Sequence, residues 1–189
     1  MRLYAVAMFV HVLGIIAVFG GFAMQHRAGS RLRQAARYDE ARPWAELLAA
    51  TRTMAPSGAV LLLASGGYLS ARLWPNPPAW LVVAIVAVVF IGVAALAVLG
   101  PRFRAIGSSV AVGEGPLSAA STQAIAGAAA WTTLAATNGA GLGTIWLMTA
   151  RPALVEAVLV VLVPTIVGGI VGLRVARGAR PVAEAAHRP

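Results

Sequence analysis

The feature that most constrains this chain is a series of five apolar segments, each close to the length that a lipid bilayer requires. They cover residues 3–24, 56–74, 79–99, 124–150 and 153–173. A membrane-spanning helix needs about 20 predominantly apolar residues. In hydrocarbon, a helix satisfies all of its own backbone hydrogen-bonding groups, and the alternating short strands that would indicate another solution are missing here. The pattern therefore predicts an all-α, polytopic membrane helix bundle with five spans.

The composition supports a lipid environment. Of the 189 residues, 59% are hydrophobic and only 11% are charged, whereas soluble domains contain about 25% charged residues. A chain this apolar cannot cover itself with a hydrated surface, so we expect the lipid bilayer to be its principal partner. The sequence contains no cysteine, which excludes disulfides, cysteine-ligated zinc and iron–sulfur clusters.

The distribution of positive charge predicts an orientation. The chain has 15 basic residues and a net charge of +9, and every basic residue is arginine. Loops on the cytoplasmic side of a membrane carry an excess of Lys and Arg. If the N-terminus is outside, 12 of the 15 arginines lie inside. We therefore expect a multi-pass membrane protein with a cytoplasmic C-terminus. Because the arginines lie between spans, we expect no nucleic-acid partner.

Two cytoplasmic regions follow from this topology. Residues 174–189 are expected to form a basic cytoplasmic tail, and residues 25–55 a cytoplasmic connection. One helical face of that connection would hold Trp44, Leu47, Leu48 and Thr51. This arrangement is typical of a short amphipathic helix on the inner leaflet, and a solvated loop is the alternative. The Gly100-Pro101 pair is expected to end the third span.

His11 is the candidate cofactor-binding residue. It lies well inside the first span, where an ionisable side chain is a functional hypothesis by default. As a neutral imidazole it could ligate the iron of haem b. The alternative is a hydrogen bond to another span, with Ser65, Thr137 or Asn138 as partner. Either interpretation predicts that His11 faces the bundle interior, because lipid offers an imidazole no hydrogen-bonding partner.

The fourth span carries a stripe of small and hydroxylated residues. On an ideal helix the stripe occupies an arc of about 100° and includes Thr133, Thr137, Gly141 and Thr144, with Asn138 beside it. Such residues are typical of helix–helix interfaces in membranes, and a polar stripe can also line a conduction path. The pairs Gly139/Gly143 and Gly168/Gly172 have the GxxxG spacing, which favours close helix packing.

Three motifs resemble a bacterial family of predicted integral membrane proteins of unknown function. The first-helix motif is Phe9-Val10-His11-Val12-Leu13-Gly14, followed by Phe19-Gly20-Gly21. The second-helix motif is Pro56-Ser57-Gly58, leading into Ser65-Gly66-Gly67-Tyr68. Trp146-Leu147-Met148-Thr149-Ala150-Arg151-Pro152 resembles the closing M-x-x-K-P signature, with Arg151 in place of Lys. The resemblance covers roughly residues 1–152 and implies a four-helix core, which the fifth span of this chain exceeds.

The His-bearing first helix is also similar to that of copper-resistance D proteins and of the membrane-bound haem-pathway protoporphyrinogen oxidase family. The oxidase family relies on an intramembrane lysine, and this chain has no lysine. Copper handling would favour more Met and His on the outer side than Met8 and Met148 supply. The resemblance therefore implies a fold and a location in the bacterial inner (plasma) membrane, and it does not assign an activity.

Three functions remain open at this point. No phosphate-binding loop, dinucleotide fingerprint, HExxH motif or nucleophile elbow is present, so a non-enzymatic accessory or scaffold subunit is favoured. Its partner would be a second copy of the chain or another membrane subunit. The alternatives are a b-type haem redox protein that uses His11, and a small transporter or channel that uses the span-four stripe.

Overall fold

A computed structural model describes residues 2–178 and consists of helices throughout. The helices are α1 (Arg2–Leu32), α2 (Tyr38–Thr51), α3 (Met54–Leu73), α4 (Ala79–Ala94), a π-helical turn (Ala95–Leu99), α5 (Gly100–Ala111), α6 (Ala119–Ile125), α7 (Ala128–Ala150) and α8 (Leu154–Gly178). Over this part of the chain the only β-type pairing is one isolated antiparallel bridge, between Arg37 and Pro116. The predicted all-α class is confirmed for these residues.

Four helical segments are long and apolar enough to cross a membrane. They are Arg2–Leu32, Tyr38–Leu73, Ala79–Ala111 and Leu154–Gly178. Helix α7 has 23 residues but is not among them, because Thr, Asn and Gly replace apolar side chains along much of its length. It packs against α1, α4 and α8. A helix that other helices surround can carry polar groups that lipid would not accept.

The first two long helices, α1 and α3, run antiparallel and touch through glycines. A methyl group added at Gly58 would lie 2.6 Å from the Val18 side chain and 2.8 Å from the Gly14 carbonyl oxygen. One added at Gly21 would lie 2.9 Å from the Met54 side chain. Only hydrogen atoms fit at these positions, so the two backbones approach closely along much of α3.

Contrary to the sequence prediction, Gly100-Pro101 does not end the helix of the third segment. The helix continues from α4 through the π-helical turn into α5 and ends at Ala111. Proline lacks an amide hydrogen and its ring collides with the carbonyl four residues earlier. The turn of Ala95–Leu99 is wider than an α-helix, and the Gly100 amide donates to the Ala95 carbonyl five residues back. This widening gives Pro101 the room that it needs.

Helices α2, α5 and α6 and the last turns of α1 form a layer at one end of the bundle, which we call the capped end. Two backbone hydrogen bonds join its parts. The Tyr38 amide donates to the Gly115 carbonyl at 3.1 Å, and the Leu117 amide donates to the Ala36 carbonyl at 2.9 Å. The Tyr38 hydroxyl lies 3.2 Å from that of Ser121. Gly113 has a φ of +151° and a methyl group there would meet the Tyr38 ring.

Of the two alternatives for residues 25–55, the structure has the helix. In α2, the side chains of Ala41, Ala45 and Leu48 are buried, while Trp44 and Leu47 are half-buried. The buried face packs on α1 and α5, so these apolar residues of α2 contact other helices of the protein. The connection is shorter than expected, because α1 continues to Leu32.

Two further boundaries differ from the sequence prediction. The segment expected at 124–150 is divided, because Ala119–Ile125 forms the separate helix α6 and α7 begins only at Ala128. Ser118 caps α6 by accepting a hydrogen bond from the Ser121 amide. The first residues of the expected tail, 174–178, continue α8, and residues 179–189 lie outside the described part of the chain.

Candidate functional site

Helices α7 and α8 meet along a seam of four glycines. A methyl group at Gly139 would overlap the Pro164 carbonyl oxygen, and one at Gly168 would overlap the Ala135 carbonyl oxygen. At Gly143 it would lie 2.7 Å from the Val161 Cα, and at Gly172 it would lie 2.6 Å from the Trp131 carbonyl oxygen. The two GxxxG pairs thus lie one after the other along an antiparallel contact, and each pair faces the backbone of non-glycine residues on the other helix. Neighbouring helices can approach this closely because each glycine brings no side chain to the contact.

The predicted stripe of α7 lies on a different side of the helix from this seam. Thr137 and Gly141 are buried, while Thr133 and Thr144 are half-buried. A methyl group at Gly141 would lie 3.0 Å from the Phe19 ring, which places this face against α1.

The hydroxyls of Thr137 and Thr144 are occupied within their own helix. That of Thr137 donates to the Thr133 or Leu134 carbonyl at 3.0 Å, and that of Thr144 donates to the Ala140 carbonyl at 2.8 Å. Threonine in a helix commonly bonds in this way to the carbonyl three or four residues earlier. These hydroxyls therefore contribute compact shape to the contact with α1 rather than a row of free polar groups.

Asn138 links α7 to α1, although its partner is not the one expected. Its Nδ2 group contacts the His26 Nε2 atom and also donates to the Leu134 carbonyl at 3.0 Å. An amide nitrogen can only donate, so His26 Nε2 is the acceptor in this contact. His26 lies near the capped end of α1, and it is the partner of Asn138 in place of His11.

His11 pairs with Ser65, one of its three expected partners. Its Nδ1 atom lies 3.1 Å from the Ser65 hydroxyl oxygen, and that hydroxyl lies 2.5 Å from the Leu61 carbonyl oxygen. Ser65 has one proton, which it donates to Leu61, so its oxygen accepts from His11 Nδ1–H. The Nε2 atom of the half-buried His11 then carries a free lone pair. This is the tautomer that a metal-ligating histidine adopts when its other nitrogen is held by a hydrogen bond.

The residues of α3 beside the His11 imidazole are small. Gly66 lies against the imidazole, where a methyl group would be 3.3 Å from Cε1, and the next residue, Gly67, has open space around it. Among the residues described, no group of three or more His, Cys, Asp or Glu side chains is placed to hold a metal ion. His11 therefore offers one ligand atom in an uncrowded position and not a complete coordination shell.

Two buried polar contacts at the capped end were missed by the sequence analysis. Gln25 is 1% exposed and its Nε2 group donates to the Thr51 carbonyl at 3.0 Å, while no partner for its Oε1 atom is present in the described residues. The sequence placed Gln25 in a polar connection because it follows the apolar run. Nothing in the sequence shows that α1 continues and carries Gln25 beneath α2.

The second missed contact is that of Trp131, at the start of α7. The Trp131 indole donates to the Ile125 carbonyl at 2.7 Å, its ring fills the space over Gly29, and the Arg33 guanidinium lies 4.8 Å from the ring centroid. Burial lowers the pKa of Arg33 from its ordinary value, and arginine remains charged nevertheless. Trp131 therefore ties α7 to the end of α1.

One cleft in the described part of the chain lies outside these contacts. It has a volume of about 540 Å³, opens between α7 and α8, and is lined only by apolar residues and glycine. Its wall includes Leu142, Trp146 and Val163, whose side chains are all more than half exposed. The cleft therefore belongs to the exposed apolar surface of α7 and α8.

No protein-family model matches the chain, and neither a curated protein nor a solved structure is significantly similar to it. The resemblance of its motifs therefore stays a prediction. The residues that carry it have distinct places in the fold: His11 and Ser65 face each other across α1 and α3, and Gly58 lies in the closest contact of those two helices. Arg151 follows the end of α7, with its guanidinium 5.9 Å from the Trp74 ring.

Proposed function

We propose that this chain is a five-span protein of the bacterial inner membrane that acts as a non-enzymatic accessory or scaffold subunit. In this proposal α7 crosses the bilayer together with the four more apolar segments. The N-terminus is outside and the C-terminus is in the cytoplasm.

The position of α7 supports a full crossing. Its first turn holds Trp131 at the capped end, and its last residues lead to Arg151 beside Trp74 at the opposite end. A helix of 23 residues is about 34 Å long, which exceeds the roughly 30 Å thickness of a hydrocarbon core. The side chains of Thr137, Asn138 and Thr144 bond to their own helix or to His26, which lowers the cost of crossing. The buried Thr132 hydroxyl has no partner among the described residues.

The arginines support the orientation. In the described residues, the opposite end of the bundle has only Arg2, Arg72 and Arg151. The capped end has ten, namely Arg27, Arg31, Arg33, Arg37, Arg42, Arg52, Arg102, Arg104, Arg174 and Arg177. An excess of arginine in loops and helix ends near the membrane favours the cytoplasmic side. The capped end is therefore proposed to face the cytoplasm.

The scaffold role rests on one contrast. The interior of the bundle is closely packed, whereas α1 and α8 leave most of their apolar surface exposed. The glycine seam brings α7 and α8 into backbone contact. Only 11% of the most apolar stretch of α1, and likewise of α8, is buried, against 39% for the Ala79–Ala111 segment. The flanking helices thus offer long apolar faces, and a second membrane helix can cover such a face as well as lipid does.

Site-specific photocrosslinking tests this role. With a photoreactive residue at Val6 or Phe9 on α1, or at Leu159 or Ile166 on α8, we expect a discrete protein adduct from one of the two helices in native membranes. All four side chains are more than half exposed, and Val112, which is 88% exposed in the capped end, is the matched control. The same adduct from both positions of one helix and none from Val112 is the expected pattern. Adducts with lipid alone at all four positions would contradict a scaffold role.

A second candidate, a b-type haem protein, is favoured by the tautomer of His11. Its free Nε2 atom and the open space at Gly67 suit one axial ligand of haem iron. A second axial ligand would come from the His11 of another copy or from a Met thioether. When bound, haem would supply one-electron chemistry, while Ser65 would hold the imidazole in position.

The haem proposal predicts a Soret band in protein purified from cells with ample haem. The band should disappear in His11→Ala, because the ligand atom is removed, and weaken in Ser65→Ala, because the Nδ1 proton loses its acceptor. His26→Ala is the control and should leave the band unchanged, since His26 lies at the other end of α1. Wild-type protein without a Soret band would eliminate this candidate and leave the scaffold proposal standing.

A further inference from the structure

The last turns of α1 hold two arginines around a tryptophan of α2. The guanidinium carbons of Arg27 and Arg31 each lie 6.0 Å from the centre of the Trp44 ring. Both arginines are exposed and Trp44 is half-buried. Residues four apart on a helix lie about 5–6 Å apart on the same face. Two cationic groups are thus presented side by side on a rigid element, with an aromatic ring between them.

No carboxylate of residues 2–178 forms an ion pair with these two arginines. Within the described residues the only ion pair joins Arg37 to Asp39, at 3.1 Å. Arg33, the next arginine along α1, is engaged with the Trp131 ring at 4.8 Å. Arg27 and Arg31 therefore retain free donors, and a guanidinium uses such donors best in paired hydrogen bonds to phosphate or carboxylate oxygens.

The surface below the two arginines is apolar. Met24 is 46% exposed and precedes Arg27 by three residues, so it lies on the same helical face. Gly20 lies one turn further along this face. From Gly20 to Arg31 the face thus changes from apolar to doubly cationic within about three turns. A free anion would contact only the two arginines. An amphiphilic molecule would contact both the arginines and the apolar surface beside them.

We propose that Arg27, Arg31 and Trp44 bind the phosphate group of an anionic phospholipid, whose acyl chains lie along α1 past Met24. Basic clusters beside membrane helices bind anionic headgroups, and tryptophan is common at the level of the headgroups. The proposal requires a membrane location. It does not depend on the orientation of the bundle, on the scaffold role or on the use of His11.

Lipid titration of the purified protein in a neutral detergent tests this site. We expect phosphatidylglycerol to raise the unfolding temperature, measured by circular dichroism, while phosphatidylcholine and inorganic phosphate at equal concentrations do not. In Arg27→Gln/Arg31→Gln the apparent affinity for phosphatidylglycerol should fall by about thirtyfold. The matched control is Arg102→Gln/Arg104→Gln, which removes the same charge from two exposed positions on α5 and should change the affinity by less than about threefold.

Three outcomes would overturn the proposal. Equal losses in the two double variants would mean that the lipid responds only to total charge. Stabilisation of the wild type by inorganic phosphate to the same extent would mean that the arginines bind a free anion. Equal stabilisation by phosphatidylcholine would mean that the headgroup charge is irrelevant. The unfolding temperature without added lipid serves as the folding control, since both arginine pairs are exposed and should leave it within a few degrees of wild type.

Discussion

Gly139→Ala should destabilise the protein by about 3 kcal/mol, although it adds only one methyl group. On an uncrowded helix the same change is favourable by nearly 1 kcal/mol, because alanine is the better helix former. At Gly139 the methyl group would overlap the Pro164 carbonyl oxygen. A backbone atom cannot rotate away as a side chain can, so α7 and α8 must separate and lose contacts along the whole seam.

A series of Gly→Ala variants measures this effect. Gly168→Ala should match Gly139→Ala, because it meets the Ala135 carbonyl oxygen on the other helix. Gly141→Ala should have a smaller effect, since its neighbour is the Phe19 ring, which can shift. Gly67→Ala, with nothing within 4 Å, is the control and should be neutral or stabilising. Thermal unfolding in detergent gives the ranking, and similar values for Gly139→Ala and Gly67→Ala would refute the proposed seam.

The long apolar helices could be predicted from the sequence because their lengths follow from bilayer physics. Segments 3–24, 56–74 and 153–173 correspond closely to α1, α3 and α8, although α1 and α8 extend further at the capped end. The two GxxxG pairs gave a weak signal individually. Their shared seam became visible only in the structure, since the spacing within one helix does not reveal which part of another helix each glycine faces.

The contacts that were missed depend on interhelical register. Trp131 lies over Gly29, and no local pattern connects two residues so distant in sequence. The polar residues of the capped end suggested loops, but Gln25 is buried because α2 folds back over α1. The sequence allowed three hydrogen-bonding partners for His11, and the packing of α1 against α3 places Ser65 beside it. Gly100-Pro101 resembled a helix end because no sequence pattern indicates the π-helical turn before it.

The second large effect is expected in the labelling of single cysteines, since exposure to one side of a membrane is all-or-none. The chain has no cysteine of its own, so each variant reports one position. Asn76 and Ala153 are exposed beyond the opposite end of the bundle, while Ser108 and Ala120 are exposed at the capped end. If α7 crosses the bilayer, Asn76 and Ala153 lie on one side and Ser108 and Ala120 lie on the other.

The central claim is five spans with the capped end in the cytoplasm, and one measurement addresses it directly. Intact cells are treated with a membrane-impermeant thiol reagent, and a second sample is treated after permeabilisation to show that every cysteine is reactive. We predict that Asn76→Cys and Ala153→Cys are labelled in intact cells, and that Ser108→Cys and Ala120→Cys are labelled only after permeabilisation. Labelling of Ser108→Cys but not Asn76→Cys in intact cells, or the same response from Ala153→Cys and Ala120→Cys, would contradict the account.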